Sequence, residues 1–580
     1  MKIRNNLFGI ALATLLMTGC QDKIHISENS EQIDALDGYV KVSINMSSAI
    51  GTRAIGYENG LADEYRVNNA IIAFFTGDKN GTETDATFTK AYNMDLNMNN
   101  NAITGQITST SDAYIIKAPA ITNDKQLYAL VIINPNSVVT LGADEESMTI
   151  NGSAITSSSK LSDFQRKLSG NDISTTAFTN AAGLTGKSFT MTNTPLSDKS
   201  GQNLTDANAT TLVPVTVYKT REEAAIASST QIYVERVVAK VSATIDVSIK
   251  DNVVTPEEDG IVVKVEDNSQ YAGDRVELTG WALNVTNKST RLVRDVSGFS
   301  TWIGYTGAGV VASRFVEDSP VRTGIGKYRI DWAVDGNYDN ALEAYSTADF
   351  AIYTVAHAPI WTTAWEATTT TPNANVAYCL ENTFTVNDIT KDRTTSLLIK
   401  AVYRRAADAA GIKDFFAVGT TGTLLSEDEF KAHLQNNVGI LAGTEITISE
   451  TAQGGYYNEE NGKPMSDLIS ATKDGIAVVG LDRYISDLGT VKFYKNGTTY
   501  YHTSPIRHFG DSEAGWDYGE TYNDAKHLGR YGVVRNTWYQ LNINKISGPG
   551  EPEPNNRQEA YINVQTNIRA WAIRQNNVDL

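Results

Sequence analysis

The sequence predicts an all-β protein with a few short helices, and three observations support this prediction. Thr, Val, Ile, Tyr, Asn and Gly are abundant, whereas only 20% of the 580 residues are charged, a composition typical of strands and turns. Many short runs are apolar or alternate between apolar and polar residues, with turn residues between them. Only Leu161–Leu168 and Ser426–Gln435 have the spacing of an amphipathic helix. This pattern favours β-sandwiches over alternating strands and helices.

The length and charge of the chain limit its class. A chain of 580 residues is long enough for several domains, since about 100–200 residues per domain is usual. Its formal net charge of -18 disfavours nucleic acid as a partner, because nucleic-acid binding needs basic patches. An acidic balance suits instead a soluble surface outside the cell.

The N-terminus has the features of a targeting segment. Lys2 and Arg4 precede the apolar stretch Leu7–Met17, which is too short to cross a bilayer. The following Met-Thr-Gly-Cys resembles a bacterial lipobox, in which a signal peptidase would cut before Cys20 and leave a lipidated cysteine. The alternative is an ordinary secretory signal in which Cys20 is incidental.

Cys379 is the other cysteine of the sequence. If Cys20 is lipidated, Cys379 has no partner in the chain, so we predict no disulfide. A small buried apolar side chain is the expected role of Cys379, and a nucleophile is disfavoured because no neighbouring residue completes a catalytic group.

Two stretches at opposite ends of the chain share one alternating pattern. They are Tyr39–Met46 (Y-V-K-V-S-I-N-M) and Tyr561–Ile568 (Y-I-N-V-Q-T-N-I). A period of two is typical of a strand that buries one face. The residues expected to point inward are Val40, Val42, Ile44 and Met46 in the first stretch, and Ile562, Val564, Thr566 and Ile568 in the second. Two strands with the same inward pattern could occupy the same groove.

A loop rich in glycine and small residues, Ser47–Gly60, follows the first of these strands. Exposed loops of this kind are where proteolysis concentrates. An arginine-specific protease would cut between Arg53 and Ala54 and detach the strand Tyr39–Met46. The alternative is a solvated arginine in a loop, and spacing alone favours this alternative.

Apolar and alternating runs predict the strands between these two ends. The predicted strands are Asn68–Thr76, Gln126–Asn136, Ser188–Asn193, Thr211–Tyr218, Arg275–Asn287, Thr395–Arg404, Val491–His502 and Gly532–Ile546. The long run Ile232–Ile245 is interpreted as the last strand of one domain that continues into the first strand of the next. Asn496-Gly497 predicts a hairpin turn. Near the C-terminus, three prolines and two acidic residues in Gly548–Asn556 predict a stiff extended spacer.

The sequence contains little that predicts catalysis or metal binding. His502 and His508 lack the spacing of a zinc site. Asp335–Asn340 has the oxygen ligands that begin a calcium loop but lacks the later glutamate, so a turn is favoured. Aromatic residues such as Trp281 and Trp302 could stack on sugars, although in sandwiches such residues more often belong to the core. We therefore predict no enzyme, no cofactor and no metal.

Several features together resemble the fimbrillin family of Bacteroidetes, the structural subunits of type V pili, and are most similar to its minor fimbrillin type. In chain order, they are the lipobox at Cys20, the Thr-Arg-Ala sequence at Arg53–Ala54, Val234–Val241 (V-E-R-V-V-A-K-V), Gly532–Ile546 (G-V-V-R-N-T-W-Y-Q-L-N-I-N-K-I) and the C-terminal sequence from Tyr561. The two C-terminal sequences are the specific part. The resemblance is weakest between about Ser300 and Gly480.

The resemblance implies two transthyretin-like β-sandwich domains in tandem. It divides the chain into a lipoprotein signal peptide (1–19), a lipidated propeptide with a removable strand (20–53), an N-terminal sandwich (54–236), a C-terminal sandwich (237–547), and a Pro-rich spacer with a donor strand (548–580).

The resemblance also implies a route of assembly. The precursor would be anchored by lipid in the outer membrane, cut after Arg53 by an arginine-specific protease, and polymerised by donor-strand exchange into a fimbria on the cell surface. The removable strand would be the one that carries Val40, and the donor strand the one that carries Ile562. The implied partners are other copies of the chain and accessory tip and anchor subunits.

Two other functions stay open. One is a surface-anchored or pilus-tip adhesin for host glycans or proteins, although tip and anchor subunits are expected to lack a usable donor strand or the cut site, and this chain has both. The other is a secreted enzyme, which the absence of a catalytic motif disfavours.

Overall fold

The structure is a computed structural model that describes most, but not all, of the chain. The described residues are 24–26, 37–46, 64, 66–94, 113–135, 137–169, 188–200, 205–251, 260–298, 314–316, 326–339, 347–354, 359, 361–363, 365, 376–385, 393–408, 411–460, 462–508, 527–554 and 562–570. For residues 24–26, 37, 46, 169, 339 and 562–570, only the backbone is described.

The first half of the described chain consists mainly of short strands. The strands are β1 (Ile24–Ile26), β2 (Asp37–Met46), β3 (Ala70–Asp78), β4 (Thr87–Met94), β5 (Ala113–Pro119), β6 (Lys125–Ile133), β7 (Val139–Leu141), β8 (Met148–Ile150), β9 (Ser153–Ile155), β10 (Lys167–Ser169), β11 (Met191–Asn193), β12 (Leu196–Ser197), β13 (Ala209–Thr210), β14 (Val213–Val215) and β15 (Thr230–Arg236). The helices of this half are α1 (Leu161–Phe164) and α2 (Arg221–Ile226).

The second half continues in the same way. Its strands are β16 (Val238–Ile245), β17 (Ile261–Lys264), β18 (Arg275–Asn284), β19 (Thr286–Asn287), β20 (Ser289–Arg291), β21 (Tyr328–Arg329), β22 (Phe350–Ala351), β23 (Val376–Leu380), β24 (Ser396–Arg404), β25 (Phe415–Val418), β26 (Leu424–Ser426), β27 (Glu445–Ile448), β28 (Gly455–Tyr457), β29 (Ile469–Lys473), β30 (Ile476–Ala477), β31 (Val491–Tyr494), β32 (Thr498–His502), β33 (Thr537–Ile546) and β34 (Ile562–Ala570). Its helices are α3 (Glu427–Asn437), α4 (Met465–Leu468) and α5 (Leu481–Ile485).

The N-terminal strands form one curled sheet in the order β1-β5-β2-β15-β11-β6-β3-β4, with β14 also paired to β6. Residues of β2, β5 and β15 share one apolar core with residues of β3, β4 and β6, among them Val42, Ile72, Phe74 and Ile232. The two halves of the sheet therefore pack face to face, as the layers of a sandwich do. The predicted all-β sandwich architecture is confirmed.

The C-terminal strands form two four-stranded sheets, in the orders β23-β16-β33-β34 and β17-β18-β24-β32. A second core between them includes Val241, Trp281, Ile399 and Leu541, all of which are buried. Alternate residues of each strand face this core, since β16 contributes Ala239, Val241, Ala243 and Ile245. This pair of sheets is the second sandwich of the protein.

The two sandwiches are connected by one nearly continuous chain path. Strand β15 ends at Arg236 and β16 begins at Val238, so the long run seen in the sequence crosses from one sheet to the other. A third core on the outer face of β3 and β6 contains Val238 and Tyr378 beside Phe75. Residues on both sides of the predicted boundary at 236–237 therefore contribute to the same core.

Buried charges surround the junction between β15 and β16. The Glu235 carboxylate lies 3.3 Å from Arg294 and 3.4 Å from Arg329. The Glu381 carboxylate lies 3.2 Å from Arg294 and 2.9 Å from Arg535. All five side chains are buried, and removing one member of such a group leaves an uncompensated charge in the interior. The cluster therefore fixes how the two sandwiches meet.

Residues 415–494 form an additional unit inserted between β24 and β32. Strands β25, β26, β28 and β31 make one small sheet and β27, β29 and β30 another, and together with α3, α4 and α5 they enclose a core of their own. Within that core Phe416 stacks on Phe430 with ring centroids 4.2 Å apart. This region lies in the part of the sequence where the family resemblance is weakest.

Several predicted elements differ in detail. The helix predicted over Leu161–Leu168 ends at Phe164, where the chain turns into β10. The helix predicted at Ser426 is confirmed, and the Ser426 hydroxyl accepts a hydrogen bond from the Glu429 N–H as its N-cap. The hairpin predicted at Asn496-Gly497 is wrong. Both residues have positive φ, but the turn directs β31 and β32 into different sheets.

In the described part of the chain, no helix is long and apolar enough to cross a membrane.

Glu83 connects the turn after β3 to the segment before β14. Its carboxylate oxygens accept hydrogen bonds from the backbone N–H groups of Thr211 (2.9 and 2.8 Å) and Leu212 (2.6 Å). Burial raises the pKa of Glu83 from 4.5 to about 7, although these N–H groups and the charge of Lys327 act in the opposite direction. The cost of desolvating the charged carboxylate is therefore the dominant effect.

We predict that Glu83 makes the protein less stable as the pH rises from about 4.5 to about 7. Its pKa is higher in the folded than in the unfolded state, so the folded state binds more protons in this range, and the free energy of unfolding falls with pH. In the wild type, the free energy of unfolding measured in urea should fall by on the order of 2 kcal/mol between pH 4.5 and pH 8, and Glu83→Gln should abolish this fall. The exposed control Glu445→Gln should leave the slope unchanged, and an unchanged slope in Glu83→Gln would contradict the assignment.

Candidate functional site

Strand β2 lies inside the N-terminal sheet and is paired along both edges. It runs antiparallel to β5 and parallel to β15. In the parallel pairing, Val42 lies opposite Thr230 and Ile44 opposite Ile232. Without β2, the sheet would have a gap one strand wide between two unpaired strand edges, which is unfavourable in water. We call this gap the groove.

The inner face of β2 contributes to the N-terminal core. Val40, Val42 and Ile44 are at most 1% exposed and belong to the core between the two halves of the curled sheet. These are three of the four inward residues predicted from the sequence, and the side chain of Met46 lies outside the described residues. Three fully buried aliphatic side chains correspond to roughly 5–9 kcal/mol of hydrophobic stabilisation. Removal of β2 would expose this apolar surface.

The outer face of β2 is also buried, which the alternating pattern did not predict. Lys41, Ser43 and Asn45 are 8%, 3% and 3% exposed because α2 and the chain that follows it cover this face. The side chains on this face form hydrogen bonds that we call the polar ladder. Its contacts join Lys41 Nζ to the Ala227 carbonyl (2.8 Å), Ser43 Oγ to Ser229 Oγ (2.8 Å) and Asn45 Nδ2 to Gln231 Oε1 (2.5 Å).

Lys41 makes the most specific contact of this face. Its ammonium group also donates to the Ala225 carbonyl at 3.0 Å, so it binds two carbonyls at the C-terminal end of α2. Such carbonyls have no partner within the helix and carry the negative end of its dipole, so a cation stabilises them. Sequence analysis assigned Lys41 to the solvated face and missed this role. The alternation alone held no signal for it, since α2 is distant in sequence.

The sites predicted for lipidation and cleavage, Cys20, Arg53 and Ala54, lie outside the described residues. The next described residue along the chain is Glu64, which is fully buried. Its carboxylate lies 2.8 Å from the Lys240 ammonium group on β16. This contact fixes the chain that follows the predicted cut to the C-terminal half of the protein.

Two further contacts hold Glu64 in place. Its carboxylate accepts a hydrogen bond from the Tyr378 hydroxyl on β23, and its backbone carbonyl accepts one from Arg236 Nε at 2.7 Å. A buried carboxylate with an ammonium group and a hydroxyl as partners is costly to disrupt, because loss of either partner leaves the other groups unsatisfied. Sequence analysis missed this anchor, since an isolated glutamate after a loop gave no reason to expect burial.

The C-terminal strand β34 pairs with its own chain. It runs antiparallel to β33 from Ile562, opposite Ile546, to Ala570, opposite Thr537, with an irregularity between Ile543 and Lys545. It is the edge strand of its sheet, so among the described residues β33 is its one strand neighbour. The four predicted inward residues, Ile562, Val564, Thr566 and Ile568, lie on β34, and their side chains are outside the description. Strand β2 thus lies inside its sheet, whereas the similar strand β34 lies at the edge of a different sheet.

The chain before β34 is bound to the protein surface and is not a free spacer. Residues 548–554, which we call the strap, are buried beside β32. Tyr500 and Glu551 exchange two backbone hydrogen bonds of 2.8 and 2.7 Å, and the Tyr501 hydroxyl donates to the Gly548 carbonyl at 3.0 Å. The sequence predicted a stiff extended spacer, and it did not decide whether that spacer is held on its own domain. In the structure, the extended backbone favoured by proline lies along a strand edge of the same chain.

The two acidic residues of the strap bind the inserted unit. Glu553 lies 2.6 Å from the Lys463 ammonium group, and Glu551 accepts a hydrogen bond from the Tyr456 hydroxyl and lies 3.5 Å from the Lys492 ammonium group. Glu551 is 1% exposed. These contacts place the beginning of the C-terminal segment at a fixed position. The sequence signal for these contacts is the repeated Glu-Pro, which by itself predicts only a stiff extended spacer.

Other candidate residues from the sequence have structural roles. The Asp335 carboxylate accepts hydrogen bonds from the Asn337 N–H (2.8 Å), the Thr383 N–H (3.1 Å) and the Asn287 amide (2.7 Å), and burial raises its pKa to about 8. The segment is therefore a buried turn. Among the described residues, no group of three or more His, Cys, Asp and Glu side chains is arranged to hold a metal ion.

Three further candidates are also part of the interior. Cys379 is a free thiol in the C-terminal core, where burial raises its pKa to about 12. Trp281 lies in the same core, and Trp302 lies outside the described residues. His508 is buried, and its Nδ1 lies 2.8 Å from the Tyr539 hydroxyl. Among the described candidates, Cys379, Trp281 and His508 are thus buried and form no surface site.

We predict that Lys41→Met destabilises the uncut precursor by about 1–3 kcal/mol. Methionine retains most of the apolar stem but leaves the carbonyls of Ala225 and Ala227 without the ammonium donor. Urea unfolding of the purified precursor measures the difference. The control Lys264→Met changes an exposed lysine on a strand and should cost less than 0.5 kcal/mol. Equal effects of both substitutions would contradict the role of Lys41.

Comparison with known protein families identifies the C-terminal region. Residues 492–577 match the family described as major fimbrial subunit protein type IV, fimbrillin, C-terminal. The matched region contains β32, the strap, β33 and β34. The family is one of structural subunits, which agrees with the prediction that the chain is not an enzyme. No curated protein matches the chain by sequence.

Solved structures with some similarity come from Parabacteroides distasonis and Porphyromonas gingivalis. A proposed cell adhesion protein of Parabacteroides distasonis is 11% identical, with 93% of this chain and 99% of that chain covered and a TM-score of 0.38. A fimbrilin of Porphyromonas gingivalis is 13% identical, with 93% and 98% covered and a TM-score of 0.37. A tip fimbrial protein of Porphyromonas gingivalis is 12% identical, with 92% and 100% covered and a TM-score of 0.28.

The match over residues 492–577 includes both C-terminal sequences on which the resemblance depended most, Gly532–Ile546 and the sequence from Tyr561. The resemblance to fimbrillins is therefore confirmed over the C-terminal region, where residues 492–577 match the C-terminal fimbrillin family.

Proposed function

We propose that the protein is a structural subunit of a bacterial fimbria and that its subunits are joined by donor-strand exchange. The observation that carries this proposal is the position of β2. A strand from the N-terminal segment is paired on both edges and buried on both faces, so its removal creates a strand-shaped gap that only another strand fills well. The fimbrillin C-terminal region supports the same function.

The position of β34 explains why its transfer into the groove of another subunit would be favourable. On its own subunit, β34 is an edge strand with one strand neighbour among the described residues, whereas the groove offers pairing with both β5 and β15. Moving from the edge to the groove adds backbone hydrogen bonds and covers the apolar surface left by Val40, Val42 and Ile44. Because the donor of one subunit enters the groove of the next, the contact does not close on itself and a filament grows.

The proposed maturation follows from the positions of the predicted sites. A signal peptidase removes residues 1–19, a lipid on Cys20 anchors the precursor in the outer membrane, and an arginine-specific protease cuts between Arg53 and Ala54. The cut separates β2 from the rest of the chain, while Glu64 stays bound to Lys240. Maturation thus frees the removable strand without releasing the new N-terminal segment. Accessory tip and anchor subunits complete the proposed fimbria.

One observation favours an adhesive role in addition. The inserted unit carries exposed apolar side chains, with Ile476 74% and Val479 80% exposed, and exposed apolar surface often marks a binding site. Binding of purified monomers to host cells or to a glycan array tests this role. Unchanged binding by an Ile476→Ser, Val479→Ser variant would remove the support that this surface gives it.

We predict that Arg53→Ala blocks both cleavage and polymerisation. Mild trypsin treatment of the wild-type precursor should produce a new N-terminus at Ala54 and filaments visible by electron microscopy, because the cut frees β2. The variant should stay monomeric. The control Arg483→Ala, at an exposed arginine of the inserted unit, should behave like the wild type. Filaments formed by uncut Arg53→Ala would rule out strand exchange by this route.

We predict that subunits lacking residues 561–580 stop filament growth. Such a subunit keeps its groove after cleavage and accepts a donor, but it supplies no donor of its own. Added at increasing ratios to cleaved wild-type subunits, it should shorten the filaments in proportion, as measured by electron microscopy. Circular dichroism checks that the truncated subunit is folded. Filaments of unchanged length would show that these residues are not the donor.

A further inference from the structure

The polar ladder has a regularity that the apolar face of β2 lacks. Each of its three contacts joins a residue of β2 to the residue 186 positions later in the chain. A hydrogen bond of 3.1 Å from Gln231 Nε2 to Ser229 Oγ connects two of these contacts to each other. The groove therefore presents, in fixed order along its polar rim, a pair of helix-end carbonyls, a hydroxyl and a side-chain amide.

The apolar face alone specifies the position of an incoming strand poorly. A shift by one residue is excluded, because it would turn every apolar side chain outward. A shift by two residues retains the alternation, and the donor sequence Ile562, Val564, Thr566, Ile568 offers similar side chains at successive inward positions. Backbone hydrogen bonds are equally available after a two-residue shift. Another feature must therefore select the register.

We propose that the polar rim of the groove sets the register of the donor strand, with the donor running in the same direction as β2. This inference rests on the proposed strand exchange. When the two similar stretches are aligned from Tyr39 and Tyr561, the positions of Lys41, Ser43 and Asn45 are taken by three carboxamides. These are Asn563, Gln565 and Asn567.

The chemistry of the carboxamides matches each position of the rim. The helix-end carbonyl of Ala227 and the Oε1 atom of Gln231 both accept hydrogen bonds, and an amide NH2 group donates. The Ser229 hydroxyl, between them, both donates and accepts, as a carboxamide does. A shift by two residues would place either the phenol of Tyr561 at the helix-end carbonyls or the guanidinium of Arg569 at Gln231. Only the aligned register therefore places a carboxamide at all three positions of the rim.

Cysteine pairs in adjacent strands measure the register directly. In β2, Val42 lies opposite Thr230 on β15, so the counterpart Val564 of the donor should lie opposite Thr230 in the filament. Thr230→Cys subunits are mixed, after cleavage, with Val564→Cys subunits, and Ile562→Cys and Thr566→Cys subunits serve as the controls for two-residue shifts. Opposed strand residues lie within disulfide distance. Disulfides formed by the native cysteines should not interfere, because the proposed cut removes Cys20 and because Cys379 is buried.

We expect the Val564→Cys pair to form intersubunit disulfides at least ten times more often than either control. Introducing Ser229→Ala and Gln231→Leu into the acceptor should reduce this preference to less than threefold while filaments still form. If that acceptor fails to fold, Gln565→Leu and Asn567→Leu in the donor test the same contacts from the other side. A preference that survives removal of the contacts, or a preference for a control position, overturns the inference. Absence of filaments from wild-type subunits would instead refute the proposed function.

Discussion

The organisation of this protein depends on one constraint, the nearly continuous path of β15 and β16 through both sandwiches. The first of these strands forms one wall of the groove, and the second pairs with β33, the neighbour of β34. Between them, the buried carboxylates of Glu235 and Glu381 are held by three arginines. Because buried charges tolerate little displacement without losing their partners, the groove and the C-terminal strand keep a fixed relation. The proposed acceptor groove and the strand proposed to fill it are thus parts of one framework.

The parts of this fold that could be predicted from the sequence are those with short-range signals. Alternation in Tyr39–Met46 identified Val40, Val42 and Ile44 as inward residues, and the helical spacing over Ser426–Gln435 identified α3. The site beyond that depended on contacts distant in sequence. Lys41 meets the end of α2 more than 180 residues later, and Glu551 meets Lys492 across the inserted unit. A local pattern carries no information on such partners, so both residues looked like solvated charges. The hairpin at Asn496-Gly497 failed for the same reason, since its turn is local but the pairing of its strands is not.

The sequences of β2 and β34 differ in ways that fit their two proposed roles, the removable strand and the donor strand. Both carry the alternation that the groove requires on its apolar side. Only β2 carries a lysine for the carbonyls at the end of α2, and that contact is discarded with the propeptide in the proposed maturation. The proposed donor carries neutral amides at the corresponding positions, so in the proposed exchange no charge would have to move into the groove. The two strands are thus similar where the core demands it and different where each has its own partner.

In filaments of the proposed kind, the strap would contribute to resistance against pulling. In a fimbria joined in the proposed way, tension on a donor strand passes into its parent subunit through residues 548–554. These residues are held by paired backbone hydrogen bonds to Tyr500 and by ion pairs from Glu551 and Glu553. The load then passes to β32 and to the inserted unit, so resistance to pulling becomes a property of the strap as much as of the groove.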